Sequence, residues 1–420
     1  MCVLLRKIKG WFKKHLPQGI VNLYTSCRYM QLSLRGCYYR NKLRRRPRGS
    51  KTRMVFIIYS MPSWSSLGPV YKAAKRNPSI EPYILACPDL KAMEGSDAKD
   101  AYRQCLKFEP NVIDAYADGH WFDLEGLKPD IVFLQVPYNL AFPEPYRSKN
   151  ICRYAKVCYI PYGYQMSRYK HLVIGFSYDF LCSVYAVFLA NETEACFCKK
   201  QIQRFPGSKG IKVFQCGSPR FDICRNREMI PSDKLTFTWL PRWSLETKKN
   251  NGTSFFKYKD LLISYFAEHP EYNLIIRPHP GMFPNFIKAG AMTREEVDAF
   301  MRILDGIPNI SLDQEGDYWK TFDRTHILIA DYTSLLVEFF LTGRPIIYCG
   351  ELEGEFNKET EEMTQHFYSV DSREKLVGYI EYLSAGNDPE KEAREKVCQT
   401  FLGDKDYNIS EKIIQTCLDM

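Results

Sequence analysis

From residue 54 onward the chain alternates short apolar runs with longer amphipathic stretches. The runs at 54–59 (MVFIIY), 82–86, 129–135 (PDIVFLQ) and 155–161 (AKVCYIP) have the length and β-branched content of buried strands. After a loop at 61–68, Pro69 suits the first turn of a helix over 69–76. A second helix is predicted at 98–108, and Val112 and Ile113 begin a short extended piece. Residues 176–200 are aromatic and apolar and read as packed helix, and 212–216 (KVFQC) read as a strand. A second series then places strands at 235–240, 272–277, 327–330 and 345–348. Its helices are expected at 255–269, 294–304, 334–341, 373–385 and 390–402. Strands alternating with helices predict parallel sheets covered on both faces.

The expected architecture is therefore α/β, with two Rossmann-like domains facing a cleft. A basic segment (1–50) precedes an N-terminal half (51–205), and a Pro/Gly-bearing stretch leads into a C-terminal half (206–420). Ligands of such sheets bind beyond the carboxyl ends of the strands. That rule selects the loops at 60–68, 136–146, 161–167, 217–222, 241–254, 277–283, 313–318 and 331–334.

Charge changes the picture at the N-terminus. Fifteen of the 58 Lys and Arg residues fall in 1–53, which has no Asp or Glu, so the rest of the 420-residue chain is net negative. Such a stretch seeks a polyanion. On a helix over 4–16, Leu4, Leu5, Ile8, Trp11, Phe12 and Leu16 share one face, and Arg6, Lys7, Lys9, Lys13 and Lys14 the other. That pattern suits an in-plane membrane helix, and Arg40, Lys42, Arg44, Arg45, Arg46 and Arg48 would add attraction to anionic headgroups. The alternatives are a basic helix packed on its own protein, and nucleic acid, for which no reader motif is present. No apolar run is long enough to span a bilayer, and the start is broken by Arg6 and Lys7, unlike a secretory signal. The 15 cysteines lack disulfide or zinc spacing and are expected as free thiols. Aromatic residues make up 14% of the chain, as a Tyr-lined cleft or as ordinary core.

Two loops carry candidate chemistry. Arg277-Pro278-His279-Pro280-Gly281 ends a predicted strand, and its prolines stiffen the backbone beside Arg277 and His279. Arginine suits bidentate phosphate contact, and histidine acid–base work near neutrality. Asp331-Tyr332-Thr333-Ser334 joins a strand to an apolar helix that Gly343 should end. Thr333 or Ser334 would cap that helix, whose free N–H groups form an anion site. Glu338, one turn in, either reaches a ribose hydroxyl or is solvated.

RPHP at 277–280 and ADYTSLLVEFFLTGRPIIY at 330–348 resemble the C-terminal signature of the CDP-glycerol glycerophosphotransferases, the teichoic-acid-type polymerases and primases of GT-B fold. GSPRFD at 217–222, with Arg220, resembles the family's G-x-P-R-x-D element, and LPRW at 240–243, with Arg242, stands where the family has its P-T-W-R-like turn. The resemblance implies that the C-terminal half holds the donor. Thr333, Ser334 and helix amides would bind the diphosphate, and Asp331, Arg242, Arg220, Tyr162 and Gly163 would complete the substrate-binding set. Glu338 would face the ribose, and His279 and Arg277 would stabilise or protonate the diphosphate as its bond breaks. Electrostatics and positioning lower such phosphoryl-transfer barriers. One position departs from the pattern. The family's N-terminal His-Gly pair, which supplies the candidate base, is here Tyr162-Gly163. A tyrosine hydroxyl ordinarily titrates near ~10, which suits a base at pH 7 poorly. His120 and Asp118 are alternative polar groups in the same half.

The resulting expectation is a peripheral enzyme on the cytoplasmic face of a bacterial membrane. It would move glycerol phosphate, or a related polyol phosphate, from a CDP-linked donor to a glycan or lipid-linked acceptor, releasing CMP. Its partners would be that donor, that acceptor and an anionic membrane surface, with no nucleic acid and no cofactor. No metal is expected, because Asp313, Asp317 and Asp323 are not spaced as ligands. The other readings are a GT-B glycosyltransferase using a nucleotide sugar, and a catalytically weak membrane-bound protein that binds nucleotide or glycan.

Overall fold

The computed structural model describes residues 17–44, 51–90, 99–137, 141–166, 176–204, 206–225, 227–245, 252–350, 356–404 and 407–420. The expected amphipathic helix at 4–16, and Arg45, Arg46 and Arg48, lie outside them. Contacts divide the chain into two compact units. Unit 1 comprises 1–162, 171–216 and 413–420, and unit 2 comprises 163–170 and 217–412.

Unit 1 is built on β1 (Thr52–Ile58), β2 (Ile80–Ala86), β3 (Ile113–Asp114), a small antiparallel pair of β4 (Tyr116–Ala117) and β5 (His120–Trp121), then β6 (Ile131–Leu134), β7 (Lys156–Tyr159), β8 (Ala186–Leu189) and β9 (Lys212–Gln215). Seven of these form one parallel sheet in the order β3-β2-β1-β6-β7-β8-β9. Its inner strands β6, β7 and β8 are buried on both faces almost throughout, which explains their apolar runs. Val55, Ile57, Val132, Leu134, Val157, Val187 and Leu189 belong to one core cluster. Phe56 stacks on Phe133, ring centroids 4.7 Å apart.

Unit 2 contains β10 (Leu235–Leu240), β11 (Tyr272–Ile276), β12 (Ile310–Leu312), β13 (Ile327–Ala330), β14 (Ile346–Tyr348) and β15 (Tyr368–Ser369). These form a parallel sheet in the order β12-β11-β10-β13-β14-β15. Phe237, Trp239, Leu274, Ile276, Ile327, Ile329 and Ile347 build its core. The helix Arg294–Asp305 shows how sequence sets the cover. Thr293 and Glu296 form a capping box, and Val297, Phe300 and Leu304 turn one face inward.

Each sheet reverses its strand order at one place. In unit 1, β1 lies between β2 and β6; in unit 2, β10 lies between β11 and β13. Open α/β sheets bind ligands at such switch points.

Three expectations change. The 61–68 stretch is helical, because the helix runs over Met61–Arg76 with Pro62 in its first turn and Pro69 inside. Pro62, rather than Pro69, fits the helix opening. The 176–200 stretch is not continuous helix: β8 lies between helices Tyr178–Leu181 and Glu192–Gln203. Periodicity alone does not separate a four-residue buried run from buried helix, and Asn191 caps the following helix by accepting from Glu194 N. Arg40 is no part of an exposed cation cluster. It sits 5% exposed in the helix Gln18–Arg44, and its guanidinium donates to the carbonyls of Cys182 (2.8 Å), Val184 (3.3 Å) and Gly207. Carbonyls from two stretches, 182–184 and 207, and a glycine (Gly36) facing the Cys182 carbonyl fix that helix to unit 1.

Candidate active site

The candidate residues of unit 2 gather at its switch point. β10 ends at Leu240 and β13 at Ala330, which pair directly. The two chains then stay joined: Asp331 Oδ2 accepts from Arg242 N at 2.7 Å. The same oxygen accepts from Ser254 N at 3.0 Å and Thr253 Oγ1 at 3.4 Å. Thr253 N also donates to Ser244 O at 2.8 Å, so segments 241–245 and 252–254 are tied to each other as well as to one carboxylate. Asp331 is 1% exposed, and Oδ1 has no hydrogen-bond partner among the described residues. Burial raises its pKa to about 6 against the pull of these bonds and of the Arg242 guanidinium.

The Arg242 guanidinium donates to Tyr332 O (3.2 Å) and lies over the Tyr332 ring, 4.9 Å from its centroid. Trp243 leans on His279, ring centroids 5.9 Å apart, and Asn285 Nδ2 donates to Trp243 O at 2.8 Å. His279 Nδ1 accepts from Gly281 N at 3.0 Å, which leaves Nε2 as the ring's outward nitrogen. One edge of the ring is open, yet surrounding protein atoms lower its pKa below the ordinary 6.5, and Arg242 adds to the effect.

Arg277 follows β11, but its guanidinium already has partners: Nη1 donates to Asp313 at 2.6 Å and Nη2 to Glu315 O at 2.7 Å. Burial opposes ionisation of Asp313, but Thr321, the Glu315 amide and Arg277 hold its pKa below the usual range. Asp313 therefore serves Arg277 and forms no cation cage. Among the described residues no group of three or more His, Cys, Asp or Glu is placed to hold a metal ion.

Arg220 opens the helix Arg220–Arg225, where the sequence suggested a loop. Its Nε lies 2.7 Å from Glu338 Oε1, and Nη2 donates to Tyr318 Oη at 2.8 Å. Glu338 has no exposed surface, which rules out a solvated side chain. Burial raises the Glu338 pKa and the Arg220 guanidinium opposes it, while Arg220 stays charged beside Glu338 and Tyr318. The helix after β13 is short, Leu335–Phe340. Thr333 Oγ1 accepts from Leu335 N at 3.4 Å, whereas the Ser334 side chain caps nothing. Gly343 adopts φ +76° beyond the helix.

Gly163 joins this group by its backbone. A β-carbon there would lie 3.8 Å from Arg220 Nη1 and 3.9 Å from Ser334 Cβ. Asn357, which sequence reasoning missed, anchors the same segment: its backbone N donates to Met166 O at 2.6 Å. Tyr162 belongs to unit 1, 43% exposed, with its N donating to Gln135 O at 3.0 Å. Gln135, also missed, is fully buried at the unit 1 switch point, where its Nε2 donates to Ser63 Oγ at 3.0 Å. Asp118 and His120 lie on the β4–β5 turn, with His120 Nδ1 2.8 Å from Asp118 O.

Solved structures share this fold. The wall teichoic acid polymerase TagF matches at 13% identity and TM-score 0.54, covering 95% of this chain and 97% of that one. UDP-GlcNAc 2-epimerase from Neisseria meningitidis, bound to UDP-GlcNAc, matches at 12% identity and TM-score 0.57, covering 88% and 100%. A TagF variant soaked with CDPG matches at 13% identity and TM-score 0.52, covering 95% and 97%. At such identities the likeness is one of fold, and it bears out the expected GT-B class. No curated protein sequence matches the chain. Residues 197–419, more than half of the chain, including the site loops that carry Arg220, Arg242, Arg277, His279 and Asp331–Ser334, match the family model of CDP-Glycerol:Poly(glycerophosphate) glycerophosphotransferase, and the chain belongs to that transferase family.

Proposed function

We propose that the chain transfers glycerol phosphate, or a related polyol phosphate, from a CDP-linked donor to a hydroxyl of a glycan or lipid-linked acceptor. The observation that carries this reading is the convergence of His279, Arg242, Ser334, Arg220 and the Gly163 backbone around one switch point. The acceptor oxygen attacks the distal phosphorus, the bond from that phosphorus to the bridging oxygen breaks, and CMP departs with that oxygen. The hydroxyl proton leaves to a base or to solvent. His279, through Nε2, would donate to the diphosphate as charge grows on the leaving phosphate. Arg242, Thr333 and Ser334 would hold the diphosphate. Arg277, tied to Asp313, supplies a fixed positive field rather than a free fork. Glu338 is assigned behind Arg220, not to the ribose, because it has no surface to offer.

The test is a thermal-shift panel of CDP-glycerol, CDP-ribitol, CDP, UDP and UDP-sugars, followed by product analysis. A cytidine preference and release of CMP are expected. A uridine preference with release of a nucleoside diphosphate would replace this reading by the nucleotide-sugar glycosyltransferase. Binding without turnover would favour the catalytically weak binding protein.

Peripheral association with an anionic membrane is part of the proposal, carried by the helix Gln18–Arg44. Among the described residues no helix is long and apolar enough to cross a membrane. This helix buries Ser33, Arg40 and Leu43, yet exposes Ile20, Leu23, Tyr24, Met30, Leu34 and Tyr38. At 100° per residue the exposed six share one side. An apolar stripe in a segment with no acidic residue fits an anionic bilayer surface. Co-sedimentation with phosphatidylglycerol vesicles should be lost in the double variant Leu23→Glu, Leu34→Glu; undiminished binding of that variant would remove the stripe from the proposal.

A further inference from the structure

We propose that Asp331 is a positioning residue: its buried carboxylate ties segment 241–245 to segment 252–254 and, through Arg242 and Trp243, sets His279 in place. The inference rests on the donor-site reading of this switch point and assigns that site's internal support.

One carboxylate oxygen gathers both ends of the loop, Arg242 N at 2.7 Å and Ser254 N at 3.0 Å, with Thr253 Oγ1 at 3.4 Å. Two charge-assisted bonds to backbone N–H groups fix main chain, not only side chains. One of the residues so fixed, Arg242, precedes the residue that packs on His279. Trp243 lies against the imidazole and Arg242 is the cation that lowers its pKa. Asn285, in the helix Met282–Lys288 just beyond His279, grips Trp243 O from the other side at 2.8 Å. The 241–245 strip is thus held between the His279 segment and Asp331. A residue 1% exposed has almost no surface for a ligand. Substrate binding, the role suggested by the sequence, is therefore replaced by support of the residues around the substrate. The groups facing Asp331 are Arg242, Ser254, Thr253, the Cys349 thiol and the Tyr258 hydroxyl, and both latter pKa values are raised by burial and by the carboxylate. Lys257 acts on Cys349 electrostatically, while its ammonium donates to Asp371 O.

The experiment follows the imidazole titration of His279 by NMR in the full chain, assigned by comparison with His279→Gln, beside steady-state kinetics with CDP-glycerol. Asp331→Ala removes the acceptor. Ser254→Pro removes one of the two N–H donors at a backbone φ of −82°, which proline accepts. Both should return the His279 titration toward its ordinary value and lower kcat by on the order of 10²-fold, as misplacement of a reacting group does. Asp331→Asn, which keeps an oxygen acceptor, should recover the depressed titration. An unmoved His279 titration in folded Asp331→Ala and Ser254→Pro would overturn the proposal. So would loss of transfer in Asp331→Asn and Asp331→Ala alike with the titration unmoved in both, since that would place Asp331 on the substrate. If the wild-type chain neither binds nor turns over CDP-glycerol, the donor reading fails alone, and the titrations still decide the role of Asp331.

Discussion

Arg220 Nε sits 2.7 Å from Glu338 Oε1 with the two side chains 4% and 0% exposed, a buried link between the GSPRFD element and the helix after β13. Removing one partner leaves a buried charge uncompensated, at about 3–5 kcal/mol. Glu338→Ala and Arg220→Ala should each destabilise unit 2 by that order in urea melts. The double replacement Arg220→Met, Glu338→Leu should recover much of the loss in stability without recovering transfer. A double variant no more stable than the less stable of the two single variants would show that the pair is not coupled.

His279 should act on chemistry more than on binding. His279→Gln is expected to lower kcat by roughly 10²–10⁴-fold, the usual share of a positioned acid–base group, while donor affinity stays within a few-fold. Its depressed pKa also sets a stability trend. Because the folded value lies below the unfolded one, its contribution is present above about 6.5 and lost as pH falls through the folded value. Melting temperatures of wild type and His279→Gln should therefore converge or cross on acidification, and parallel curves would contradict the shift.

Asp331 behaves in the opposite sense. Its folded pKa, about 6, lies above the ordinary 3.8. Between those values the folded chain holds more protons than the unfolded one, so the Asp331 contribution is fully present below 3.8 and lost as pH rises through about 6. Asp331→Asn, which does not ionise, should flatten that part of the stability profile measured by denaturant melts.

Gly217 adopts φ +88°, and a β-carbon there would lie 2.7 Å from Ile409 Cδ1. The left-handed backbone alone costs a non-glycine residue about 1–2 kcal/mol. Gly217→Ala should lower thermal stability by at least that much. Ile409→Val, which removes the colliding methyl, should relieve the steric part in the double variant and leave the backbone part.

Much of the fold was legible because buried parallel strands such as 54–59 and 327–330 are bounded apolar runs that a single sequence displays. β8 was not, since it sits inside the longer aromatic and apolar stretch 176–200, and neither was β12, whose ISL at 310–312 alternates an exposed Ser311 within only three residues. The loops of the site were legible from strand ends and from family-like motifs. The partners inside them were not: Arg277 with Asp313, Arg220 with Glu338, and Asp331 with Arg242 N join residues 36, 118 and 89 positions apart. A charged residue in a motif reads equally well as a ligand contact or a support until its neighbour across the sheet is known. Arg40 shows the same limit, because its charge suggested a headgroup while its partners are carbonyls.

Residues 413–420 belong to unit 1, although the 196 residues before them, 217–412, belong to unit 2. The helix Ile409–Leu418, which contains all but the last two of them, starts under Asp222, whose carboxylate accepts from Ile409 N at 3.0 Å and Ser410 N at 2.8 Å, and Tyr185 Oη donates to Met420 O at 3.5 Å. During synthesis, the first-made unit must therefore wait, unfinished, until all of the second has been translated. Expressing 1–216 alone would yield a sheet lacking its last covering piece, and a short C-terminal deletion would be felt in the half of the molecule farthest from it in sequence.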